Sequence, residues 1–272
     1  MRHKPSWKKS WKMENKSKIT IVKIGGNIID NEEILNGFLK DFSELKEAKI
    51  LIHGGGKTAT EIAEKLNLKP LFSNGRRITD KAMLDVTVMT YSGLINKQIV
   101  AKLQALKTNG IGFSGADGNT ILSEKRKNSE IDFGFVGDVI SVNKSLISTL
   151  LLQNITPVFS AITHDGNGQL LNTNADTIAS EIAIALSETF EVNLIYCFEK
   201  KGVLTNSEDD DSVIETLDFE KYQSLKAEKA IHSGMLPKLE NCFKAIENGV
   251  QNISIGNQNI LKDSAIYTKI TL

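Results

Sequence analysis

A short polar stretch, residues 172–176, joins an apolar run to a helical pattern and carries three side chains that could bind a ligand. Asn172, Asn174 and Asp176 are spaced by two, and residues at this spacing on an extended segment point to the same side. They could therefore converge on one ligand. The alternative is structural: Asn174 caps the helix, and Asp176 stabilises its first turn through the helix dipole. Taken alone, the stretch favours the structural interpretation.

Glycine-rich turns elsewhere in the chain indicate a ligand with oxygen atoms. Three glycines, residues 54–56, follow His53 at the expected start of a helix. Backbone N–H groups at such a position can reach an anion, although a tight strand-to-helix turn would use the same glycines. A P-loop is excluded here, because Leu51 stands where that motif needs its first glycine.

Two lysines stand where lysine is unusual. Lys23 lies inside the first apolar strand, two residues before Gly25 and Gly26, and strand interiors rarely hold a lysine. Lys238 begins a helix whose positive N-terminal end disfavours a cation. Each one alone is more often a solvated surface side chain. Together with the glycine turns, both would suit a phosphate group.

Composition limits the classes of function. The chain has 272 residues, is 40% hydrophobic and has no net charge. Residues 1–18 hold seven lysines and arginines against one glutamate, a net charge of +6 that leaves −6 for the remainder. We expect a disordered basic tail before an acidic body that binds neither nucleic acid nor membrane. Two distant cysteines, Cys197 and Cys242, indicate buried thiols in a reducing cytoplasm.

Strand, glycine-rich turn and helix follow one another twice, at residues 19–45 and 49–66, with Asp30 as the expected cap of the first helix. The pattern predicts an α/β fold whose mainly parallel central sheet is sandwiched by helices, in two lobes that share one sheet. We expect an N-terminal lobe at 19–161 and a C-terminal lobe at 162–272. A further strand is predicted at 133–142.

A long helix is predicted at residues 81–107. Its apolar residues cover more than one stripe, so one face can pack on the sheet while the surplus is available to a partner subunit. We therefore expect a homodimer that forms through this helix.

Five motifs occur in one order along the chain, and together they resemble the amino acid kinase family. The resemblance covers residues 19–272, and it is specific because single motifs are weak but five in order are not. The motifs are Lys-Ile-Gly-Gly at 23–26, His-Gly-Gly-Gly at 53–56, Asn-Gly-Arg-Arg-Ile-Thr at 74–79, Asn-Thr-Asn-Ala-Asp at 172–176 and Gly-Met-Leu-Pro-Lys at 234–238.

The resemblance implies phosphoryl transfer from MgATP to the γ-carboxylate of an N-acyl-L-glutamate, a step of arginine biosynthesis. The acceptor carboxylate is already ionised near neutral pH, so no general base is needed. The difficulty is to bring two anions together, which positioned cations and backbone N–H donors achieve. The N-terminal lobe would bind the acylated amino acid and form the dimer, and the C-terminal lobe would bind ATP.

The resemblance also implies roles for individual residues, with no protein-held metal because Mg²⁺ arrives with the nucleotide. Lys23 and Lys238 resemble the catalytic lysines, and Asp176 the carboxylate that holds both. The remaining assignments are substrate binding by Gly55, Gly56, Arg77, Asn172 and Asn174, phosphate binding by Gly25 and Gly26, and ATP binding by Glu199, Gly202, Val203, Leu204 and His232.

Two parts of the sequence depart from the family pattern. Residues 198–201, Phe-Glu-Lys-Lys, stand where the family usually has Ser/Thr-Asp, so Glu199 would replace an aspartate. The segments 113–118 and 133–139, where relatives shape the acyl pocket, are not a close match.

The departures leave alternatives open. Acetyl is the favoured acyl group and succinyl the alternative, beside another carboxylate kinase of the family. A non-catalytic amino-acid-binding subunit is a third reading. Lys23, Asp176 and Lys238 argue against it, because a sensor has no need of all three.

Overall fold

The computed structural model describes residues 16–73, 76–127, 131–206, 208–228, 231 and 235–272. The described strands are β1 (Lys18–Ile24), β2 (Ala48–His53), β3 (Leu71–Ser73), β4 (Arg76–Ile78), β5 (Gly110–Phe113), β6 (Ile121–Lys125), β7 (Gly137–Val142), β8 (Thr156–Ser160), β9 (Ile162–His164), β10 (Leu170–Asn172), β11 (Glu191–Cys197), β12 (Thr216–Leu217), β13 (Asn252–Gly256) and β14 (Thr268–Ile270).

Helices cover both faces of the main sheet. The described α-helices are α1 (Gly26–Ile29), α2 (Glu32–Glu44), α3 (Gly56–Lys65), α4 (Lys81–Val88), α5 (Asn96–Ala105), α6 (Lys144–Leu152), α7 (Ala175–Ser187), α8 (Phe219–Ala227) and α9 (Leu236–Glu247).

Eight strands form the main sheet in the order β12-β14-β13-β11-β1-β2-β8-β5. β1 pairs in parallel with β2 on one side and with β11 on the other, whereas β13 and β14 pair antiparallel. Strands from the first and second halves of the chain are therefore neighbours in one sheet. The predicted α/β fold with a shared, mainly parallel sheet is confirmed. The division of the lobes at residue 162 stays a prediction.

Alternate residues of the central strands enter two separate apolar cores. Val22 and Leu51 join a core with residues of α2 and α5, while Ile21 and Ile50 join one with residues of α7 and α9. Because both faces are covered, these strands are apolar at almost every position, as parallel strands usually are. Lys23 is buried in this setting, with a side chain only 10% exposed.

The expected strand at 133–142 is wrong in its first part. β7 starts at Gly137 and belongs to a separate four-stranded sheet with the order β10-β9-β6-β7. Gly134 has a φ of +72°, and a Cβ atom there would lie 2.2 Å from the carbonyl oxygen of Thr79. The chain turns at this glycine in order to bond Thr79 on both sides, through Phe133 and Phe135, which ends the extended pattern.

The predicted helix at 81–107 is interrupted and ends earlier. A π-helical segment, Met89–Ile95, separates α4 from α5, which ends at Ala105. One extra residue per π-turn rotates the following helix face. Leu94, an apolar residue of this segment, is 44% exposed.

Two expectations near the N-terminus also need correction. Asp30 ends α1, with its N–H bonded to Gly26, and the side chain that caps α2 is that of Asn31. Residues 1–15 lie outside the described part of the chain. Residues 16–18, expected in the tail, are bound to the body: Lys16 Nζ donates to the Ser187 carbonyl at 2.6 Å, and Lys18 begins β1.

Helix starts follow the polar residues that the sequence offers. The side-chain oxygens of Asp80, Asn143, Asn174 and Asp218 each accept a hydrogen bond from a first-turn N–H of α4, α6, α7 and α8. Such caps satisfy donors that have no partner inside the helix. Within the described ranges, no helix combines the length and the apolar character that crossing a bilayer requires.

His53, at the end of β2, connects the sheet to α5. Its Nδ1 lies 2.8 Å from the Gly54 carbonyl, which can only accept, so Nδ1 carries the proton. Nε2 then accepts from Asn96 Nδ2 at 3.0 Å, and the same amide donates to the Val158 carbonyl at 2.9 Å. A second proton, on Nε2, would face the donating amide group of Asn96. Complete burial lowers the pKa of His53 to about 4.

This neutral histidine predicts an acid-sensitive fold. An unfolded histidine has a pKa of ~6.5. Between pH ~6.5 and about 4, His53 therefore binds a proton in the unfolded state but not in the folded state. The free energy of unfolding should fall by about 3 kcal/mol as the pH drops through this window. Urea unfolding of His53→Gln at several pH values should give a flatter profile, because glutamine can keep both hydrogen bonds without titrating.

His164→Gln is the matched control, since His164 is half-buried on a hairpin of the small sheet. Its profile should stay steeper than that of His53→Gln, because His53 is still present. An equal slope for wild type and His53→Gln would contradict the assignment.

Candidate active site

The carboxyl ends of β1, β2 and β10 open into one cleft of about 380 Å³. Parallel sheets commonly bind ligands at this edge, because helix N-termini and loops converge there. The structure brings nine of the residues singled out from sequence into the lining of this cleft: Lys23, Gly25, Gly26, Gly55, Gly56, Arg77, Asn172, Asn174 and Asp176.

One carboxylate, that of Asp176, holds two lysines from opposite ends of the chain. Lys23 Nζ in β1 lies 2.7 Å from Oδ1, and Lys238 Nζ in the first turn of α9 lies 2.5 Å from Oδ2. Asp176 itself lies in the first turn of α7, where the helix dipole favours a negative charge. Asp176 is 153 positions (176 − 23) and Lys238 is 215 positions (238 − 23) after Lys23 in the sequence, and the three side chains meet at one point.

The electrostatics of this cluster leave one positive charge in excess. The side chains of Lys23 and Asp176 are about 10% exposed, and that of Lys238 is 23% exposed. Burial alone would raise the pKa of Asp176, but the two ammonium groups outweigh it and hold this pKa well below its usual range. Burial lowers the pKa of Lys23, while Asp176 opposes the change. A buried cluster with excess positive charge suits an anionic ligand.

Asp176 Oδ1 keeps capacity for a further contact. Among the described residues it has no well-directed hydrogen bond, although Lys23 Nζ stands 2.7 Å away. The contact with Lys23 is therefore an ion pair without hydrogen-bond alignment.

The glycine turns present backbone N–H groups to the cleft, with one exception. The N–H of Gly25 donates to the Cys197 carbonyl at 2.9 Å, so it cannot also bind a phosphoryl group as its predicted role requires. Within the described ranges, no acceptor partners the N–H groups of Gly26, Gly55 and Gly56. Gly55 has a φ of +152°, and a Cβ atom there would lie 2.3 Å from Ile95 Cδ1. A side chain at this position would therefore clash with Ile95.

Arg77, in β4, is a buried guanidinium without a carboxylate partner in the part of the chain that the structure describes. It is 9% exposed. Nη2 donates to the Gly56 carbonyl at 2.8 Å and to Thr60 Oγ1 at 2.7 Å. The Phe72 ring covers its plane, with 4.7 Å from Cζ to the ring centroid. A fixed guanidinium with its charge unpaired suits a ligand carboxylate.

The two asparagines are partly occupied by structural bonds. Asn174 Oδ1 accepts from the N–H groups of Asp176 and Thr177, at 2.7 and 3.1 Å, so the capping interpretation is correct. Both asparagines nevertheless line the cleft. Asn172 Nδ2 donates to Thr79 Oγ1 at 3.0 Å. The groups left for a ligand are therefore the amide N–H₂ of Asn174 and the carbonyl oxygen of Asn172.

Residues predicted to bind the nucleotide do not line this cleft. Glu199 accepts a hydrogen bond from Asn27, directly after Gly26, and so stands beside the glycine turn of β1. Val203 is buried, with its N–H bonded to Thr268 Oγ1 at 2.8 Å, and Gly202 packs against the same threonine. Leu204 forms a bridge with Val213. His232 lies outside the described residues.

Among the side chains of the cleft that sequence reasoning missed are Phe72, Tyr91 and Arg126. Phe72 directly precedes the Asn-Gly motif and could have been found as a neighbour of Arg77. Tyr91 lies in the π-helical segment, and a helical pattern does not reveal such a segment. Arg126 pairs with Asp138 through three contacts of 2.5–3.1 Å and looked like an ordinary charge after a strand. Of the two acyl-pocket segments, 133–139 contributes Val136, whereas 113–118 contributes no lining residue.

In the part of the chain that the structure describes, no group of three or more His, Cys, Asp or Glu side chains could hold a metal ion.

Comparisons with known proteins agree with this geometry. The sequence pattern of the amino acid kinase family matches residues 18–257. The chain is 57% identical to an acetylglutamate kinase of Cytophaga hutchinsonii, covering 88% of this chain and 90% of that protein. It is 51% identical to one of Phocaeicola vulgatus, covering 88% and 93%.

Solved structures share the fold. The structure of smu.665 from Streptococcus mutans is 25% identical, with a TM-score of 0.75 over 93% of this chain and 98% of that one. N-acetylglutamate synthase from Neisseria gonorrhoeae, in complex with coenzyme A and N-acetyl-glutamate, is 19% identical, with a TM-score of 0.80 over 95% of this chain and 60% of that one. With its sequence pattern, relatives and fold in agreement, this chain belongs to the amino acid kinase family.

Proposed function

We propose that this enzyme transfers the γ-phosphoryl group of MgATP to the γ-carboxylate of an N-acyl-L-glutamate, with N-acetyl-L-glutamate favoured, as a step of arginine biosynthesis. The observation that carries the proposal is the buried carboxylate of Asp176 shared by Lys23 and Lys238. The names of relatives about half identical to this chain support the choice of acceptor.

The reaction needs positive charge more than proton transfer. A γ-carboxylate oxygen attacks the γ-phosphorus, the bond from that phosphorus to the bridging oxygen breaks, and ADP leaves with the electron pair. Lys23 and Lys238 would stabilise the charge on the phosphoryl oxygens as it moves. Asp176 touches both ammonium groups and would hold them at the required separation. The product is an N-acylglutamyl 5-phosphate.

The acceptor would be held at both of its carboxylates. Arg77 would bind the α-carboxylate, because its guanidinium is buried and has no counter-charge among the described residues. The free N–H groups of Gly55 and Gly56 would bind the γ-carboxylate at the positive end of α3. Asn172 and Asn174 would contact the acylated amide through the groups that their structural bonds leave free.

ATP would be bound mainly by residues from the second half of the chain. The N–H of Gly26 would bind a phosphoryl oxygen, and Glu199, Gly202, Val203, Leu204 and His232 remain proposed nucleotide residues. Mg²⁺ would be carried by the phosphate oxygens and neutralise part of their charge. Within the described ranges, no group of three or more His, Cys, Asp or Glu side chains would hold this ion, and both oxygens of Asp176 lie next to ammonium groups.

We further propose a cytoplasmic homodimer. Met89, Leu94 and Ile111 are 57%, 44% and 40% exposed, and the first two lie on the π-helical segment between α4 and α5. Covering these apolar side chains with a second copy would remove them from water.

The first test is an acceptor panel. In the presence of ATP, Mg²⁺ and hydroxylamine, the purified protein should form a hydroxamate with N-acetyl- or N-succinyl-L-glutamate and much less with free glutamate. The acylated amide cannot carry the positive charge of a free amino group. Activity on no acylated glutamate would reject the proposal, and tight binding without turnover would favour a non-catalytic amino-acid-binding subunit.

N-succinyl-L-glutamate is the second candidate acceptor because Arg76 and Arg126 line the cleft in addition to Arg77. A succinyl group brings a third carboxylate, which a further guanidinium could bind. The bidentate contact with Asp138 offsets much of the charge on Arg126, and acetyl therefore stays the first choice.

Substitution of Arg126 separates the two acceptors. If the acyl chain ends in a carboxylate, Arg126→Gln should lower kcat/KM for the succinyl substrate about tenfold more than for the acetyl substrate. Equal changes for both would remove Arg126 from acyl recognition. Lys127→Gln is the control, because Lys127 is an exposed neighbour that pairs with Glu124.

Lys238→Ala should reduce kcat at least tenfold, which is more than ~1.4 kcal/mol of barrier, with a smaller effect on KM for either substrate. The fold should survive because the side chain is 23% exposed. Lys244→Ala tests the same helix, since Lys244 pairs with Glu181 on the surface, and it should leave kcat unchanged. Near-normal turnover by Lys238→Ala would exclude this lysine from the mechanism.

A further inference from the structure

The π-helical segment Met89–Ile95 contributes one side chain, Tyr91, to the cleft. Tyr91 is buried, and so are Leu84, Thr87 and Ile95, which precede and follow it at the spacing of three or four residues that defines one helix face. Leu94, in the same segment, is exposed. The buried face of the helix therefore carries Tyr91 to the cleft.

Tyr91 packs at the junction of the glycine turn and Arg77. It is 5% exposed, and its ring lies about 3 Å from where a Cβ atom of Gly55 would be. Its hydroxyl is 3.9 Å from the corresponding point on Gly56, and Arg77 Nη2 is 4.0 Å from that point. The hydroxyl and the guanidinium thus flank one side of Gly56.

The direction of any hydrogen bond between these two groups follows from their chemistry. Arg77 lies close enough to Tyr91 to lower its pKa, and a guanidinium has only donors, so the tyrosine oxygen could only accept from it. The proton of the hydroxyl then remains available for a third group. Burial raises the pKa of Tyr91, with Arg77 opposing the change, and the hydroxyl keeps its proton near neutral pH.

We propose that Tyr91 is an acceptor-binding residue whose hydroxyl donates a hydrogen bond to the α-carboxylate held by Arg77. The inference rests on the proposed function, which assigns that carboxylate to Arg77. Two donors from different elements, β4 and the π-helical segment, would then bind one carboxylate. Such a pair fixes the orientation of the acceptor as well as its charge.

The test compares two acceptors that differ only at the α-position: N-acetyl-L-glutamate and its α-carboxamide. Tyr91→Phe should raise KM for N-acetyl-L-glutamate about tenfold and leave KM for ATP unchanged, because a hydrogen bond to a charged group is lost. The preference for carboxylate over carboxamide should fall at least threefold. A residue that merely packs would lower kcat/KM for both acceptors equally, so an unchanged preference would overturn the inference.

Tyr222→Phe is the matched control. Tyr222 is also buried, its hydroxyl has no hydrogen-bond partner within the described ranges, and it packs on Phe243, where it does not line the cleft. It should keep wild-type kinetics. If the wild type is active and Tyr91→Phe has an unchanged KM, this inference is overturned while the proposed function stands.

Calorimetric titration with N-acetyl-L-glutamate decides the case without turnover. If the wild type binds the acceptor without phosphorylating it, the dissociation constants of wild type and Tyr91→Phe give the same comparison. If the wild type neither binds nor phosphorylates any acylated glutamate, the proposed function fails, and this inference fails with it.

Discussion

The structure of the site depends on one buried carboxylate that is shared by two ammonium groups. Removing ions from water is costly, and a buried charge persists only where others compensate it. Asp176 compensates Lys23 and Lys238 only in part, since one positive charge is left over. The excess makes the empty cluster less favourable than the same cluster beside an anion. A phosphoryl group is the kind of ligand that completes the charge balance.

The shared sheet is what allows this contact to form. β1 lies between β2 and β11, so a strand from the start of the chain ends beside the helices of its second half. Lys23 reaches the site from β1, and Asp176 and Lys238 reach it from the first turns of α7 and α9. Two lobes with separate sheets would have to hold the same three charges together across an interface, where relative motion is easier.

Much of the fold and the location of the cleft could be predicted from the sequence. The glycine turns, the lysine in a strand interior and the polar residues before a helix each break a local rule, and such breaks concentrate at functional sites. For Asn174, the capping and the ligand-binding interpretations are compatible, because one amide can cap a helix through its oxygen and still offer its N–H₂ group to a ligand.

Other features could not be predicted because they depend on contacts between distant segments. The loss of the Gly25 N–H to Cys197, the turn at Gly134 against Thr79 and the pairing of Arg126 with Asp138 are all tertiary. The π-helical segment is a different case, since a register change of one residue hardly alters a pattern of apolar side chains.

The hydrogen bonds of Asn96 have a mechanical consequence. One amide joins the end of β2 and the middle of β8 to α5, and the Gly55 turn fits tightly against Ile95 just before it. Sliding of α5 by even half a residue would break these contacts, so strand ends, glycine turn and helix must travel as a single rigid block. Any closing movement over bound substrates then has to arise outside that block, in the β3–β4 hairpin or in the second half of the chain.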